Sequence, residues 1–343
     1  MKHRPIHKNW INICSIPKKI PTFALQFKNK KFLLTMVNRI LIRIKVLQIV
    51  YSYYQNGNGD LKAAENELLF SLRKSYDLYH YFLLLLIELT NLQRRNLDSR
   101  KSKYMPTEEE LNPNTRFIDN RFIAQLAENE DLMKYVDEQG LSWSNDEEFV
   151  QDVLNLILDS EIYADYMNQE TDSYEVDREF WRQAFKKLIC GNEMIEEYLE
   201  DKSIYWNDDI EIVETFTLKT IKKFEEKRGS AQPLLPMFKD EDDKDFAIRL
   251  FRQSLLKGKE YRERIDKHIR NWESERVASM DLIIMQVALA EILSFPSIPI
   301  SVTLNEYIDA AKYYSTPKSG NFINGILDSI VGELKKEKLL LKD

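Results

Sequence analysis

Four polar residues at helical spacing near residue 40 are of the types that bind phosphate and read bases. Arg39 and Arg43 are four residues apart, Lys45 follows, and Gln48 lies about one turn further on. Guanidinium groups pair with phosphates through two parallel hydrogen bonds, and a glutamine amide can hydrogen-bond a base edge. The pattern therefore indicates a nucleic-acid contact. The ordinary polar face of a helix is the alternative, and it is the favoured one without further context.

The distribution of charge adds to this pattern. Residues 1–59 contain 11 Lys and Arg and no Asp or Glu, whereas residues 60–343 carry a net charge of −18. A basic front end on an acidic body indicates a localised contact with a polyanion. An unstructured basic tail would explain the same composition.

Residues suited to catalysis or metal binding form no recognisable site. The sequence has no glycine-rich phosphate loop and no dinucleotide fingerprint. His3 and His7 have the spacing of metal ligands on a helix but lack a third ligand, and His80 is expected to be a hydrogen-bonded core histidine. Cys190 is expected to be a buried structural thiol. We therefore expect no enzymatic activity, no metal and no cofactor.

The composition predicts an all-α protein. Of the 343 residues, 43% are hydrophobic and only 9 are glycine, which disfavours folds that need many tight turns. The longest apolar run, Tyr81–Ile87, is much shorter than the ~20 residues needed to cross a bilayer. Two cysteines cannot form a disulfide framework, so a reducing cytoplasm is the expected location.

Hydrophobic periodicity predicts helices along most of the chain from Met36 onwards. A second helix, from about residue 61 to 97, is expected to be broken once, and residues 280–295 are expected to form a buried helix. Thr303 and Glu306 have the spacing of a capping box that would begin the next helix. Further helical patterns cover 36–55, 117–138, 144–168, 177–200 and 207–228.

Four short motifs, in order along the chain, resemble those of the NusB family of transcription antitermination factors. The first is RILIRIKVLQIVY at 39–51, with its arginine-rich start and Gln-x-x-Tyr step. The others are DLIIMQVALAEIL at 281–293, NEYIDAAK at 305–312 and FINGILD at 322–328. The resemblance covers roughly 36–75 and 240–335.

The resemblance implies an all-α fold of two packed helical bundles, with a helical insertion between the two halves of the kind seen in Bacteroidetes-type NusB proteins. The expected division is a basic extension at 1–35, N-terminal NusB-like helices at 36–75, an insertion and linker at 76–239, and a C-terminal bundle at 240–338. The extension is expected to be disordered or an artefact of the start site, with Met36 the true start.

The resemblance implies RNA binding without catalysis. NusB proteins bind the boxA element of nascent ribosomal RNA together with the ribosomal protein NusE, and act with other antitermination factors on RNA polymerase. By matching position, Arg39, Arg43, Lys318 and Phe322 would contact RNA, with core packing an equal alternative for Phe322. Lys45 and Gln48 belong to the same predicted RNA-binding set. Tyr51 and Asp281 would lie on the NusE side.

Two departures from the family pattern bear on RNA affinity. Apolar residues separate Arg39 from Arg43, and Gln286 stands where a cation is common. Intrinsic RNA binding would therefore be weaker and depend more on the partner. The competing hypothesis is a helical protein–protein scaffold that acts through the acidic insertion without binding RNA. An RNA methyltransferase with a NusB-like domain is disfavoured because the cofactor motif is missing.

Overall fold

The computed structural model describes residues 36–57, 59–269 and 277–340, and all regular structure in these ranges is helical. The expected all-α fold is confirmed. The predicted basic extension at residues 1–35, which includes His3 and His7, lies outside the described residues.

The α-helices of the described ranges are numbered in chain order. The first ten are α1 (Arg39–Gln55), α2 (Leu61–Lys101), α3 (Glu108–Leu111), α4 (Arg121–Ala127), α5 (Glu130–Gln139), α6 (Glu147–Leu158), α7 (Glu161–Asn168), α8 (Tyr174–Ala184), α9 (Glu193–Lys202) and α10 (Ile210–Lys223). A π-helical turn at Phe185–Ile189 continues α8, and a 3-10 helix spans Glu226–Ala231. The last five are α11 (Glu241–Leu256), α12 (Gly258–Ile269), α13 (Ser279–Ser294), α14 (Ile300–Tyr314) and α15 (Ser319–Lys336).

Helix α2 is continuous over 41 residues, so the predicted break within it is wrong. Residues 61–101 contain neither proline nor glycine, so no residue removes a backbone donor or favours a kink. The chain divides into two compact units, and the division falls within this helix. Residues up to Leu72 belong to the first unit and Arg73 begins the helix's part of the second.

The first unit contains residues 37–72 and the described residues from 238 onwards. Helix α13 is at its centre and packs against α1, α11, α12, α14 and α15. Because neighbours surround α13, its apolar residues are buried on nearly every side, as the sequence predicted. This burial is the main source of stability available to the unit.

The predicted capping box at Thr303 is wrong. Helix α14 already begins at Ile300, directly after Pro299, whose ring restricts φ to values compatible with a helix start. The Thr303 hydroxyl is buried instead and donates a hydrogen bond to Oε1 of Glu291 at 2.8 Å. The residue thus links two helices rather than beginning one.

The second unit, which comprises Met36 and residues 73–237 of the described chain, has a core rich in aromatic rings. Tyr81 stacks on Trp143 with ring centroids 3.9 Å apart, and Phe149 stacks on Tyr198 at 3.8 Å. Its helices are shorter than the predicted segments, because new helices begin inside those segments. Each new helix begins at a side chain that accepts a hydrogen bond from an N–H group of the first turn. These caps are Asn120, Asn129, Ser160, Ser173 and Asn192.

Two residues considered for chemistry lie within the second unit. His80 is buried, its Nδ1 lies 2.9 Å from the carbonyl oxygen of Tyr76, and burial lowers its pKa to about 4. The prediction of a core histidine is confirmed. Cys190 is half-buried, and desolvation raises the pKa of its thiol, so the thiol is protonated at neutral pH.

Glu214 on α10 is a carboxyl group held in an apolar environment. It is 4% exposed and accepts a hydrogen bond from the backbone N–H of Gly191 at 3.3 Å. Desolvation, reinforced by the neighbouring carboxylate of Glu196, raises the pKa of Glu214 from 4.5 to about 8. Ionising this group in the folded protein therefore opposes folding.

We expect Glu214→Gln to raise the free energy of unfolding over wild type by an amount that grows with pH. At pH values between the pKa of Glu214 in the unfolded chain, near 4.5, and its pKa in the folded protein, about 8, the native state keeps a proton that the unfolded state has lost. Wild-type stability therefore falls as pH rises through this window, by at most ~1.4 kcal/mol per pH unit, and the amide variant lacks this loss.

Urea unfolding of both proteins across this pH window measures the effect. Glu197→Gln, at an exposed position on α9, is the matched control and should follow wild type. Parallel pH dependence of wild type and Glu214→Gln would contradict the expectation.

Candidate nucleic-acid interface

Helix α1 begins with features that favour a nearby anion. The side chain of Asn38 accepts hydrogen bonds from the N–H groups of Ile40 and Leu41 at 3.0 and 2.9 Å and so caps the helix. The first turn contains no acidic residue. The positive end of the helix dipole and the positive charge of Arg39 therefore both attract an anion to this end of α1.

Arg39 is the α1 arginine that is accessible to a ligand. Its side chain is 41% exposed, its Nε donates to Oδ1 of Asp243 at 3.0 Å, and its guanidinium lies 5.0 Å from the Phe246 ring centroid. The ion pair and the ring limit the motion of the side chain while leaving a substantial part in solvent. An ordered, partly exposed guanidinium is suited to phosphate binding.

Arg43 was predicted to face RNA, but the structure places it in the core of the first unit. Its Nε and Nη2 donate to the two carboxylate oxygens of Glu291, each at 2.8 Å, and Nη1 lies 3.8 Å from Oε2 of Glu306. Arg43 is 5% exposed and Glu291 is fully buried. The helical spacing of Arg39 and Arg43 was read correctly, but it does not show that both point outward.

The buried carboxylate of Glu291 is fully engaged. Thr303 donates to Oε1 at 2.8 Å and Tyr307 donates to Oε2 at 3.0 Å, in addition to the bonds from Arg43. Burial alone would lower the pKa of Arg43, but the hydrogen bond and charge of Glu291 outweigh it and raise that pKa. Arg43 therefore stays protonated at all ordinary pH values, and its pairing with Glu291 and the bonds of Thr303 and Tyr307 join α1, α13 and α14.

The other two residues of α1 that were predicted to bind RNA are also buried. Lys45 is 2% exposed and Gln48 is 4% exposed. The structure thus does not bring them to the surface beside Arg39, and their assignment to RNA stays a prediction.

Asp281, predicted to face the protein partner, is 5% exposed at the start of α13. Its carboxylate accepts hydrogen bonds from the hydroxyls of Ser315 and Ser319 at 2.5 and 3.0 Å. These bonds fix the turn between α14 and α15. In the structure Asp281 therefore positions a turn rather than presenting a carboxylate to solvent.

The turn held by Asp281 carries two predicted RNA contacts. Lys318 is exposed in the residue before α15, and Phe322 is half-buried in the first turn of that helix. Tyr51 is half-buried on α1 and lies about 18 Å along the helix axis from Arg39, at ~1.5 Å per residue. Tyr51 is thus distant from Arg39 on the same helix, whereas Asp281 lies beside the turn that carries Lys318.

Sequence reasoning missed Glu291, which organises this region. The available signal was a single carboxylate within the apolar segment 282–293. A buried glutamate is almost always paired, so a cationic partner was to be expected. The sequence could not show that the partner is Arg43, which is 248 residues away.

Two further observations limit the site. No helix in the described residues is long and apolar enough to cross a membrane. Within the same ranges, no group of three or more histidine, cysteine, aspartate or glutamate side chains has a geometry suited to holding a metal ion.

Comparison with known proteins gives consistent similarities. The family model described as the NusB family matches residues 210–332. The chain is 38% identical over 131 residues to the transcription antitermination protein NusB of Salinibacter ruber, a match covering 36% of this chain and 82% of that protein. The matching protein of Koribacter versatilis is 39% identical over 99 residues, covering 29% and 68%. That of Geobacter sulfurreducens is 42% identical over 112 residues, covering 31% and 81%. No solved structure matches the chain.

We expect Glu291→Gln to lower the free energy of unfolding by about 3–5 kcal/mol, because the buried Arg43 cation loses the carboxylate that accepts both of its 2.8 Å hydrogen bonds. The double variant Arg43→Met/Glu291→Met should be more stable than Glu291→Gln, since no unpaired charge remains in the core. Urea unfolding of each variant measures these differences.

Arg39→Ala is the control, because its ion pair with Asp243 is partly exposed and should contribute less than ~1 kcal/mol. A loss of under about 1 kcal/mol for Glu291→Gln would show that the buried ion pair does not hold the helices together.

Proposed function

The chain belongs to the NusB family of transcription antitermination proteins, and on this basis we propose that it binds boxA-type single-stranded RNA in nascent ribosomal RNA together with the ribosomal protein NusE. In this role it supports ribosomal RNA transcription and maturation in the cytoplasm. Other antitermination factors and RNA polymerase would be engaged indirectly. The family consists of transcription factors rather than enzymes.

The observation that carries the proposal is the exposed arginine at the start of α1, in the same unit as the helices with the strongest family resemblance. Helices α13 and α14 and most of α15 lie within the matched residues 210–332, and α1 packs against α13 in the first unit. Arg39 thus belongs to the same unit as these three helices.

The proposed mechanism separates positioning from base contact. Arg39 and Lys318 neutralise phosphates and set the register of the strand, while Phe322 offers its ring to an unpaired base. Arg43 does not contact RNA and instead fixes the position of α1 on α13 and α14. Lys45 and Gln48 take part if RNA binding exposes them, and Tyr51 contacts the protein partner.

Charge supports a contact restricted to the first unit. Residues 73–237 contain 20 basic and 35 acidic residues, a net charge of −15. Such a surface repels a polyanion, so RNA approaching the protein is directed away from the second unit.

A groove in the second unit favours a second candidate function, the docking of a basic peptide. The groove has a volume of about 360 Å³ between α7 and α8, with Ile162, Val176 and Phe180 among its apolar lining residues and Asp165 and Glu175 among its acidic ones. Apolar contact and negative charge together suit a lysine-rich segment with one apolar anchor. In this scaffold function the partner protein would bind to the insertion.

We expect fluorescence anisotropy to show binding of a boxA-type RNA that tightens when NusE is added. Arg39→Ala and Lys318→Ala should each weaken binding and reduce the slope of log affinity against log salt by about 0.7, the value for one single-strand phosphate contact. Arg228→Ala, in the second unit, is the control and should leave the slope unchanged.

The same assay separates the two candidate functions. If folded wild-type protein binds no RNA with or without NusE, the RNA-binding proposal is wrong. Binding of a lysine-rich peptide that is lost in Asp165→Lys/Glu175→Lys would then establish the scaffold function.

A further inference from the structure

Arg262 on α12 is held in one orientation by two contacts. Its Nε donates a hydrogen bond to Oε1 of Gln286 at 2.8 Å. Its guanidinium carbon lies 4.1 Å from the centroid of the Tyr54 ring, within the range of a cation–π interaction. Tyr54 comes from α1 and Gln286 from α13, so three helices of the first unit define the position of this charge.

The groups that hold Arg262 are themselves fixed. Gln286 is fully buried, and its Nε2 donates to the hydroxyl of Tyr54 at 2.8 Å and to the carbonyl oxygen of Ser254 at 2.6 Å. A Cβ added to Gly258 would lie 2.6 Å from the Tyr54 hydroxyl and 2.9 Å from Nε2 of Gln286. The cluster is therefore packed so closely that only glycine fits beside it.

One edge of the guanidinium remains available. Arg262 is half-exposed, and in the described part of the chain its Nη1 and Nη2 make no hydrogen bond or ion pair. These two atoms form the edge that presents parallel donors to an oxyanion. Because Nε and the ring face are already engaged, ligand binding would cost little additional side-chain entropy.

We propose that Arg262 is an RNA-binding residue that contacts a backbone phosphate of the single strand, an inference that rests on the proposed function. A second half-buried aromatic residue of α1, Tyr53, lies beside Tyr54, with the two ring centroids 5.9 Å apart. A cation beside aromatic side chains is the combination that binds single strands through phosphate pairing and base stacking. This combination favours RNA over a protein carboxylate as the ligand.

The position of Arg262 also sets the length of the RNA contact. Tyr54 lies 15 residues after Arg39 on α1, about 22 Å along the axis at ~1.5 Å per residue. A stacked strand advances ~3.4 Å per phosphate, so a strand reaching from Arg39 to Arg262 spans about six nucleotides. The RNA surface then extends along α1 instead of ending at its first turn.

The test is anisotropy with a boxA-type RNA over a range of salt concentrations, with and without NusE. We expect Arg262→Ala to weaken RNA binding about three- to tenfold and to reduce the salt slope by about 0.7. Arg262→Lys should keep most of the slope but recover affinity only in part, because lysine lacks the planar fork that stacks on Tyr54.

Arg264→Ala is the matched control on the same helix. Arg264 pairs with Glu337 at 3.0 Å and lies 3.8 Å from Glu333, so its loss should change neither the affinity nor the slope. If Arg262→Ala unfolds, Arg262→Gln keeps a donor for Gln286 without the charge and should show the same reduced slope.

The outcomes distinguish the proposals. RNA binding by wild type with unchanged affinity and slope in Arg262→Ala and Arg262→Gln would overturn the role of Arg262 and leave the proposed function intact. Loss of the NusE effect with unchanged binding to RNA alone would assign Arg262 to a protein carboxylate and also overturn it. If folded wild-type protein binds no RNA, both the proposed function and the inference about Arg262 are wrong.

Discussion

The first unit depends on the ion pair between Arg43 and Glu291. Removing these two charges from water costs desolvation free energy. The two short hydrogen bonds between them, together with those donated by the hydroxyls of Thr303 and Tyr307, offset this cost. An apolar pair would bind α1 to α13 without this demand for geometry. The ion pair instead specifies the rotation and register of α1, because a shift of one residue would leave both charges buried and unpaired. The exposed side of α1, including Arg39, is oriented as a result.

The sequence predicted most of the fold because helical periodicity is a local property. The apolar segment 280–295 was correctly expected to be a buried helix, and it became the centre of the first unit. Helix boundaries were less accurate, since they depend on single hydrogen bonds such as those of Asn120 and Ser160. Thr303 illustrates the limit: its spacing from Glu306 fits a cap, yet its hydroxyl was used by a carboxylate from another helix.

The candidate site was only partly predictable, for a different reason. Residue type shows that a side chain can bind phosphate, but not whether the folded chain leaves it in solvent. Arg39 and Arg43 share one helix and differ by one turn, yet one is 41% exposed in its side chain and the other 6%. The difference is set by Asp243 and Glu291, which are distant in sequence. Arg262 escaped notice for the same reason, since its partners Tyr54 and Gln286 lie on two other helices.

The sequence separation of Arg43 and Glu291 has a consequence for synthesis. The two residues are 248 positions apart, an interval of roughly 12–50 s at a translation rate of ~5–20 residues per second. Throughout this interval α1 has left the ribosome without its carboxylate partner, while all of residues 73–237 emerge and can fold as a unit. The second unit can therefore fold before the first, whose α1 stays without its ion-pair partner until Glu291 has been synthesised.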